Sequence, residues 1–459
     1  MLRSLTTIVT VFSAAVSFCA EPEQVKELRK LIQQRIDNKW SVGIAAAYID
    51  KNGIYFATAG TLSQTDKTPV DKDSVFEIGS VSKAFTGVLL AEAVQRGELK
   101  LNDEVSLYLP NVKLPSRDGQ PIRLLHLTQH TSGLPYMPDN LKPKDMMNPF
   151  ADYTVEQLYA CLAACKLART PGAGYEYSNL ATGLLGHTLA LKANCSYEEL
   201  LLARICQPLE MKDTRIALTP EMRKRLALGH NEGLEVVKNW DIISLAGAGG
   251  IRSTASDVAR FVAANMGLKE SKLQAAFNAS HGNHFPVGGA THIALGWHIS
   301  KAFGTEIIWH NGRTGGYQSF AGFIKDQKKG IVVLSNCESS IDDIGMHLLE
   351  SKHGLNPKMS TPREERTSIE LKPEVLQKLT GDYELVPGFV LTITAEGNRL
   401  MAQATGQPKL EVYPESEFKF FYKAVDAQIT FDKDITGNAT GLTLHQNGAN
   451  MPAKKLKGK

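Results

Sequence analysis

An α+β chain in two parts is what this sequence predicts: a large domain with an antiparallel sheet flanked by helices and a helical lobe, then a small antiparallel β-barrel-like domain. Three observations carry that prediction. At 459 residues the chain exceeds what one hydrophobic core usually supports. Helix-period and strand-like stretches are interleaved over residues 21–355. The last 85 or so residues carry only short runs of strand-type alternation.

The elements follow in order. Val25, Leu28, Leu31, Ile32 and Ile36 recur at helical spacing between charges, which predicts an amphipathic helix over Glu21 to Asn38. Val42 to Ile49 and Ile54 to Ala59 read as strands, and the Asn52-Gly53 pair between them is a strong hairpin signal. Residues 80–270 are rich in helical patterns broken by turns such as Thr170-Pro171-Gly172-Ala173-Gly174. Strand-like runs return at Ile307 to His310, Tyr317 to Ile324 and Gly330 to Ser335, and a helix follows around Ile341 to Lys352. Residues 356–370 are polar, with two prolines, and read as a linker. From 371 to 459 the alternation of Phe389, Leu391 and Ile393, the Glu396-Gly397-Asn398 turn and further short apolar runs predict the small β domain.

Residues 1–20 read as an export signal, with Arg3 as the only charged side chain ahead of an apolar stretch from Leu5 to Phe18. Cleavage after Ala20 leaves a mature chain from Glu21 and an exported, periplasmic or secreted, protein. Bulky Phe18 disfavours a lipid anchor on Cys19, and no later segment is long and apolar enough to span a bilayer. With 51 basic and 48 acidic residues the net charge is +3, which gives no bias toward nucleic acid. Cys161, Cys165, Cys195, Cys206 and Cys337 form no CxxC pair, so a zinc or redox site is not expected. Cys161 and Cys165, four apart in a helical stretch, read as buried thiols at least as readily as a bridge. His126 and His130 are also four apart, but without an H-E-x-x-H pattern they read as structural.

Chemistry concentrates in three places. Ser80-Val81-Ser82-Lys83 opens an apolar helical segment, and at a helix start residues three apart share a face, so Lys83 stands one turn below Ser80. The positive helix end favours an alkoxide and disfavours an ammonium, moving both groups toward reactive forms. Tyr177-Ser178-Asn179 follows the Pro-Gly turn, and His310-Asn311-Gly312-Arg313 lies on the strand-like run near 307. No G-x-S-x-G surrounds Ser80, which argues against an α/β-hydrolase.

The order S-x-x-K, Y-S-N, H-N-G resembles the serine β-lactamase and penicillin-binding superfamily, in particular the class C β-lactamases, the related D-alanyl-D-alanine peptidases and the esterases of that fold. The resemblance covers roughly residues 40 to 350, and the C-terminal β domain looks like a module often appended to such hydrolases. It implies a β-lactamase/transpeptidase-like fold without metal or cofactor. Ser80 is then the acylated nucleophile, with Lys83 and the Tyr177 phenol as its base system. Asn179 bonds Lys83 and the substrate, and Gly312 leaves room for the substrate beside the strand. The backbone N–H groups of Ser80 and Arg313 form the oxyanion hole. His310 stands where β-lactamases usually carry lysine, so the cation for a substrate carboxylate becomes a group that titrates near neutrality. Asn311 and Arg313 share a strand face, and Arg313 is expected to restore positive charge. The expected substrates are β-lactams or D-amino-acyl peptides. The alternatives are a carboxylesterase and a penicillin-binding sensor that acylates with little turnover.

Overall fold

The computed structural model describes residues 21–456 except 365, 408 and 447–448; the export signal and Cys19 lie outside the described residues. The first helix, α1 (Glu23–Asp37), leads into strands β1 (Gly43–Asp50) and β2 (Gly53–Gly60), whose register closes with Asp50 opposite Gly53. Six later strands complete an antiparallel sheet: β3 (Phe285–Gly288), β4 (Thr291–Ile293), β5 (His298–Ala302), β6 (Thr305–Thr314), β7 (Tyr317–Ile324) and β8 (Lys329–Ser335). Their order across the sheet is β2-β1-β8-β7-β6-β5-β4-β3. The first three of these six strands lacked a signal in the sequence, since Pro286, Gly288-Gly289 and three histidines interrupt their alternation.

Strand β1 serves two cores at once. Ala45, Ala47 and Ile49 face one cluster with α2 (Ser82–Gln95) and α4 (Ala255–Asn265), which stack Phe85 on Phe261 at 3.8 Å between ring centroids. Ile44, Ala46 and Tyr48 face a second cluster with Leu28 and Ile32 of α1 and Ile344 and Leu348 of α5 (Asp342–Leu349). A strand covered on both faces must be apolar at every position, which is why β1 reads as a continuous run. Helix α2 is likewise buried on all sides, and α3 (Asn179–Ala193) packs beside it in the helical lobe.

Beyond the sheet domain, eight strands from Gly381–Val386 to Ala449–Lys455 close a barrel in sequential order, with Tyr383 opposite Lys455 at the seam. The barrel has a hydrophobic cluster of its own, including Leu391, Phe420, Ile429 and Leu442. The segment expected as a linker is partly tied down. Trp40 Nε1 donates to the Thr361 carbonyl at 2.8 Å, the Arg363 N–H donates to the Asn38 carbonyl at 2.9 Å, and the Asn356 N–H donates to Asp343. Residues 356–363 therefore belong to the surface of the large domain. All five described cysteines are free thiols, and among the described residues no helix is long and apolar enough to cross a membrane.

Candidate active site

A short strand, Val75–Glu77, pairs with Arg252–Thr254 and delivers the chain to Gly79. Gly79 has φ +47°, and a Cβ there would lie 2.8 Å from the Arg313 backbone nitrogen, so only glycine fits both the turn and the contact. The 3₁₀ turn Gly79–Val81 then presents Ser80 at the mouth of α2, with Lys83 fully buried one turn further in.

Tyr177 and Asn179 reach the same point from the start of α3. Ser178 is the N-cap: its side chain accepts from the Ala181 N–H at 3.0 Å and donates to the Pro135 carbonyl at 2.6 Å. The cap thus fixes its neighbours on either side. His130, held at φ +55°, supports the cap from below, accepting the Ser178 N–H on Nδ1 at 3.2 Å and lying 4.4 Å from the Tyr177 ring.

Lys83 Nζ lies 2.9 Å from Ser80 Oγ, 2.7 Å from Asn179 Oδ1 and 2.6 Å from the Ala248 carbonyl oxygen. Burial pushes the ammonium pKa well below its usual range. A neutral amine has two hydrogens and one lone pair. Asn179 Oδ1 and the Ala248 carbonyl only accept, so they take both hydrogens and the lone pair faces the Ser80 hydroxyl. On the other side of Ser80, the Tyr177 hydroxyl donates to Oγ at 2.9 Å, and burial pushes that phenol well above its usual pKa, keeping it protonated.

Strand β6 forms the opposite wall. A Cβ on Gly312 would lie 2.9 Å from the Ser80 nitrogen, so the strand backbone presses against the Gly79–Val81 turn and brings the 312–313 peptide beside Ser80. His310 departs from expectation. It is 1% exposed, its Nδ1 lies 2.5 Å from the Asn311 carbonyl, and desolvation together with His298 and Lys83 lowers its pKa far below the usual value. Burial and these neighbours thus favour the neutral imidazole at 310, against the titrating cation expected there. Two further histidines share this neutral pocket: His298 lies 5.0 Å away with its pKa lowered to about 4 by burial, and His130 is lowered as well. Asn311 does share a strand face with Arg313, but its side chain is taken up by α5, donating to Asp342 at 2.5 Å. Only Arg313 of the two lines the cleft, where it pairs with Glu338 at 3.0 Å.

The cleft over Ser80 has a volume of about 580 Å³, and Tyr136, Met137, Phe150, Trp240, Ile242 and Leu245 make most of its wall apolar. Among the described residues of the barrel, only Gln407 reaches its rim. No group of three or more metal-ligating side chains occurs among the described residues. Sequence reasoning missed the Ala248 carbonyl and Glu338. The first is a backbone atom with no residue-type signal, and the second is a lone acid outside every motif.

Residues 28–349 match the beta-lactamase family. The chain belongs to that family. Residues 365–458 match a separate domain of unknown function, coincident with the barrel. A beta-lactamase of Escherichia coli K12 is 29% identical over 369 residues, covering 72% of this chain and 94% of the relative. The D-alanyl-D-alanine-carboxypeptidase/endopeptidase AmpH of the same organism is 30% identical over 311 residues, covering 64% of this chain and 79% of the relative. Among solved structures, a class C beta-lactamase superposes with a TM-score of 0.65 at 27% identity, over 74% of this chain and 99% of that one. The β-lactamase-family fold extends as expected through the helical lobe and the sheet that together enclose Ser80.

Proposed function

We propose that this β-lactamase-family protein is a serine hydrolase that works through a Ser80 acyl-enzyme. The observation that carries the reading is the pair of contacts on Ser80 Oγ, a lysine amine whose hydrogens are spent elsewhere at 2.9 Å and a protonated phenol at 2.9 Å. Lys83 takes the Ser80 proton as Oγ attacks a carbonyl carbon, and Tyr177 supplies a proton to the leaving group. The negative charge that develops on the carbonyl oxygen meets the backbone N–H groups of Ser80 and Arg313. Water then attacks the acyl-enzyme, assisted by the same pair, and Ser80 is regenerated. Asn179 holds the Lys83 amine in the orientation this needs.

β-Lactams, D-amino-acyl peptides and carboxylic esters all present a carbonyl that this machinery suits. The carboxylesterase reading gains from buried, neutral His310, because an ester needs no cation. A short-chain nitrophenyl ester, a chromogenic cephalosporin and a D-Ala-D-Ala peptide, each followed by mass spectrometry of the quenched protein, test the proposal. The expected adduct is on the peptide containing Ser80. An adduct on another residue overturns the assignment, and persistent labelling by a fluorescent penicillin without turnover marks a sensor instead. The leader over residues 1–20 supports export; N-terminal sequencing of protein from the periplasm or medium should begin near Glu21.

A further inference from the structure

The cleft carries an ion pair that the acyl-transfer chemistry does not use. Arg313 is the only lysine or arginine among the described residues lining the cleft, and the acyl transfer proposed above uses its backbone N–H but not its guanidinium. Arg313 Nη2 lies 3.0 Å from Glu338 Oε2. The two partners differ in environment: the arginine side chain is 58% exposed and the glutamate 15%. Glu338 follows strand β8, and its position is set by the backbone, since its carbonyl accepts from Gln318 Nε2 at 2.9 Å and its N–H donates to the His230 carbonyl at 3.0 Å. Glu338 is thus held by its backbone with its carboxylate mostly buried, while the arginine that pairs with it is mostly exposed. Both side chains stand on the same cleft as Ser80. A second observation points the same way: most of the rest of the wall is apolar, and buried His310 favours its neutral form.

We infer that Glu338 is a specificity-determining residue whose carboxylate occupies the guanidinium of Arg313 in place of a substrate carboxylate, so that the site selects neutral acyl substrates with an apolar acyl group. This rests on the acyl-serine reading above. An anionic substrate meets Arg313 already neutralised and meets Glu338 as a like charge, which disfavours it twice. A neutral ester or ester-capped lactam loses nothing to either group and gains by filling the apolar wall. Selectivity by repulsion of this kind leaves the reacting atoms untouched.

A matched pair isolates the effect: one chromogenic cephalosporin as its free acid and as its methyl ester, identical except for the charge. In the wild-type protein the methyl ester should have the higher kcat/KM, by roughly five- to tenfold. A wild-type preference for the free acid of that size overturns the inference without any variant. In Glu338→Gln the acid-to-ester ratio should rise by about the same factor, because Arg313 is released and the repulsion is gone. Adding Arg313→Ala to that variant should remove the part of the gain that the freed guanidinium supplies. Glu338→Ser, measured in parallel, covers a fold that does not accept glutamine. A ratio that stays flat in a variant still turning over the methyl ester refutes the role of Glu338. Failure of the acyl-serine reading looks different: turnover of both cephalosporins would then survive Ser80→Ala.

Discussion

The sheet domain encloses Lys83, Glu77, Asp257, His130, His281 and His310, each less than a tenth exposed, whereas beyond Ser339 no charged or polar side chain other than tyrosine is buried among the described residues. The barrel instead fills with Leu, Ile, Phe and Ala around Tyr383. Burying an ionisable group is unfavourable unless it is paired or neutral, and here most are held neutral. Burial pushes Lys83 and His130 toward their uncharged forms, and Glu77 toward protonation despite Arg252 nearby. One region has thus accepted unstable burial where chemistry gathers. The barrel's interior is apolar instead.

Replacing Ser80 should expose that difference most strongly. Ser80→Ala is expected to lower turnover of every substrate by a factor of about 10⁴, or about 5 kcal/mol, while leaving both melting transitions in place. A variant retaining a hundredth of wild-type rate would refute Ser80 as nucleophile. The converse probe is Phe420→Ala in the barrel, where the ring is fully buried and stands 5.5 Å from that of Phe431. It should cost about 3–5 kcal/mol in the barrel's own unfolding, followed by denaturant titration, with kcat unchanged in the folded protein. If turnover falls in step, the two regions are not separable.

Tyr177→Phe should lower kcat by about a hundredfold, since it removes the proton donor and leaves the ring packed on His130. A wild-type rate there would place the leaving-group acid elsewhere. Acid should then separate the two regions without mutation. His298 has its folded pKa lowered to about 4 and His281 to about 3, against about 6.5 in an unfolded chain. Below 6.5 the unfolded state takes up protons that the folded state does not, so stability present above 6.5 is lost as pH falls toward 4. Calorimetry at pH 7.5 and 5 should show the sheet-domain transition moving down while the barrel, which buries no histidine, moves less. The smallest effect is expected from truncation after Glu364, which keeps the tied segment and deletes the barrel. Among the described residues only Gln407 is lost from the cleft, so kcat/KM on a small neutral ester should change by no more than about threefold. A larger loss in a folded truncation assigns the barrel a part in binding.

Much of this arrangement was legible before any coordinates. Ser80 and Lys83 are brought together by helical geometry alone, and the Asn52-Gly53 hairpin and the barrel's alternation follow from turn chemistry and a period of two. Tyr177 and Asn179 were found through motif order, because 97 residues separate Tyr177 from Ser80 and no local rule links them. Depth was the quantity that could not be read. Strand alternation assigns His310 a face, but only the tertiary placement of His298, His130 and Lys83 around it reveals that its imidazole is sealed from water. The tied segment at 356–363 was hidden for a similar reason: its bonds are made by backbone atoms, and its composition is that of a linker.

Ser178 has a consequence for how the protein becomes active. Because the cap of α3 sits between Tyr177 and Asn179, the proton donor and the lysine's orienting partner are placed by the same event that starts the helix. Lys83 in turn waits for the Ala248 carbonyl, which comes from a third stretch of chain. On the acyl-serine proposal, a lobe not yet docked on the sheet lacks part of the catalyst, so recovery of turnover during refolding should lag recovery of helix content; the two rising together would refute this.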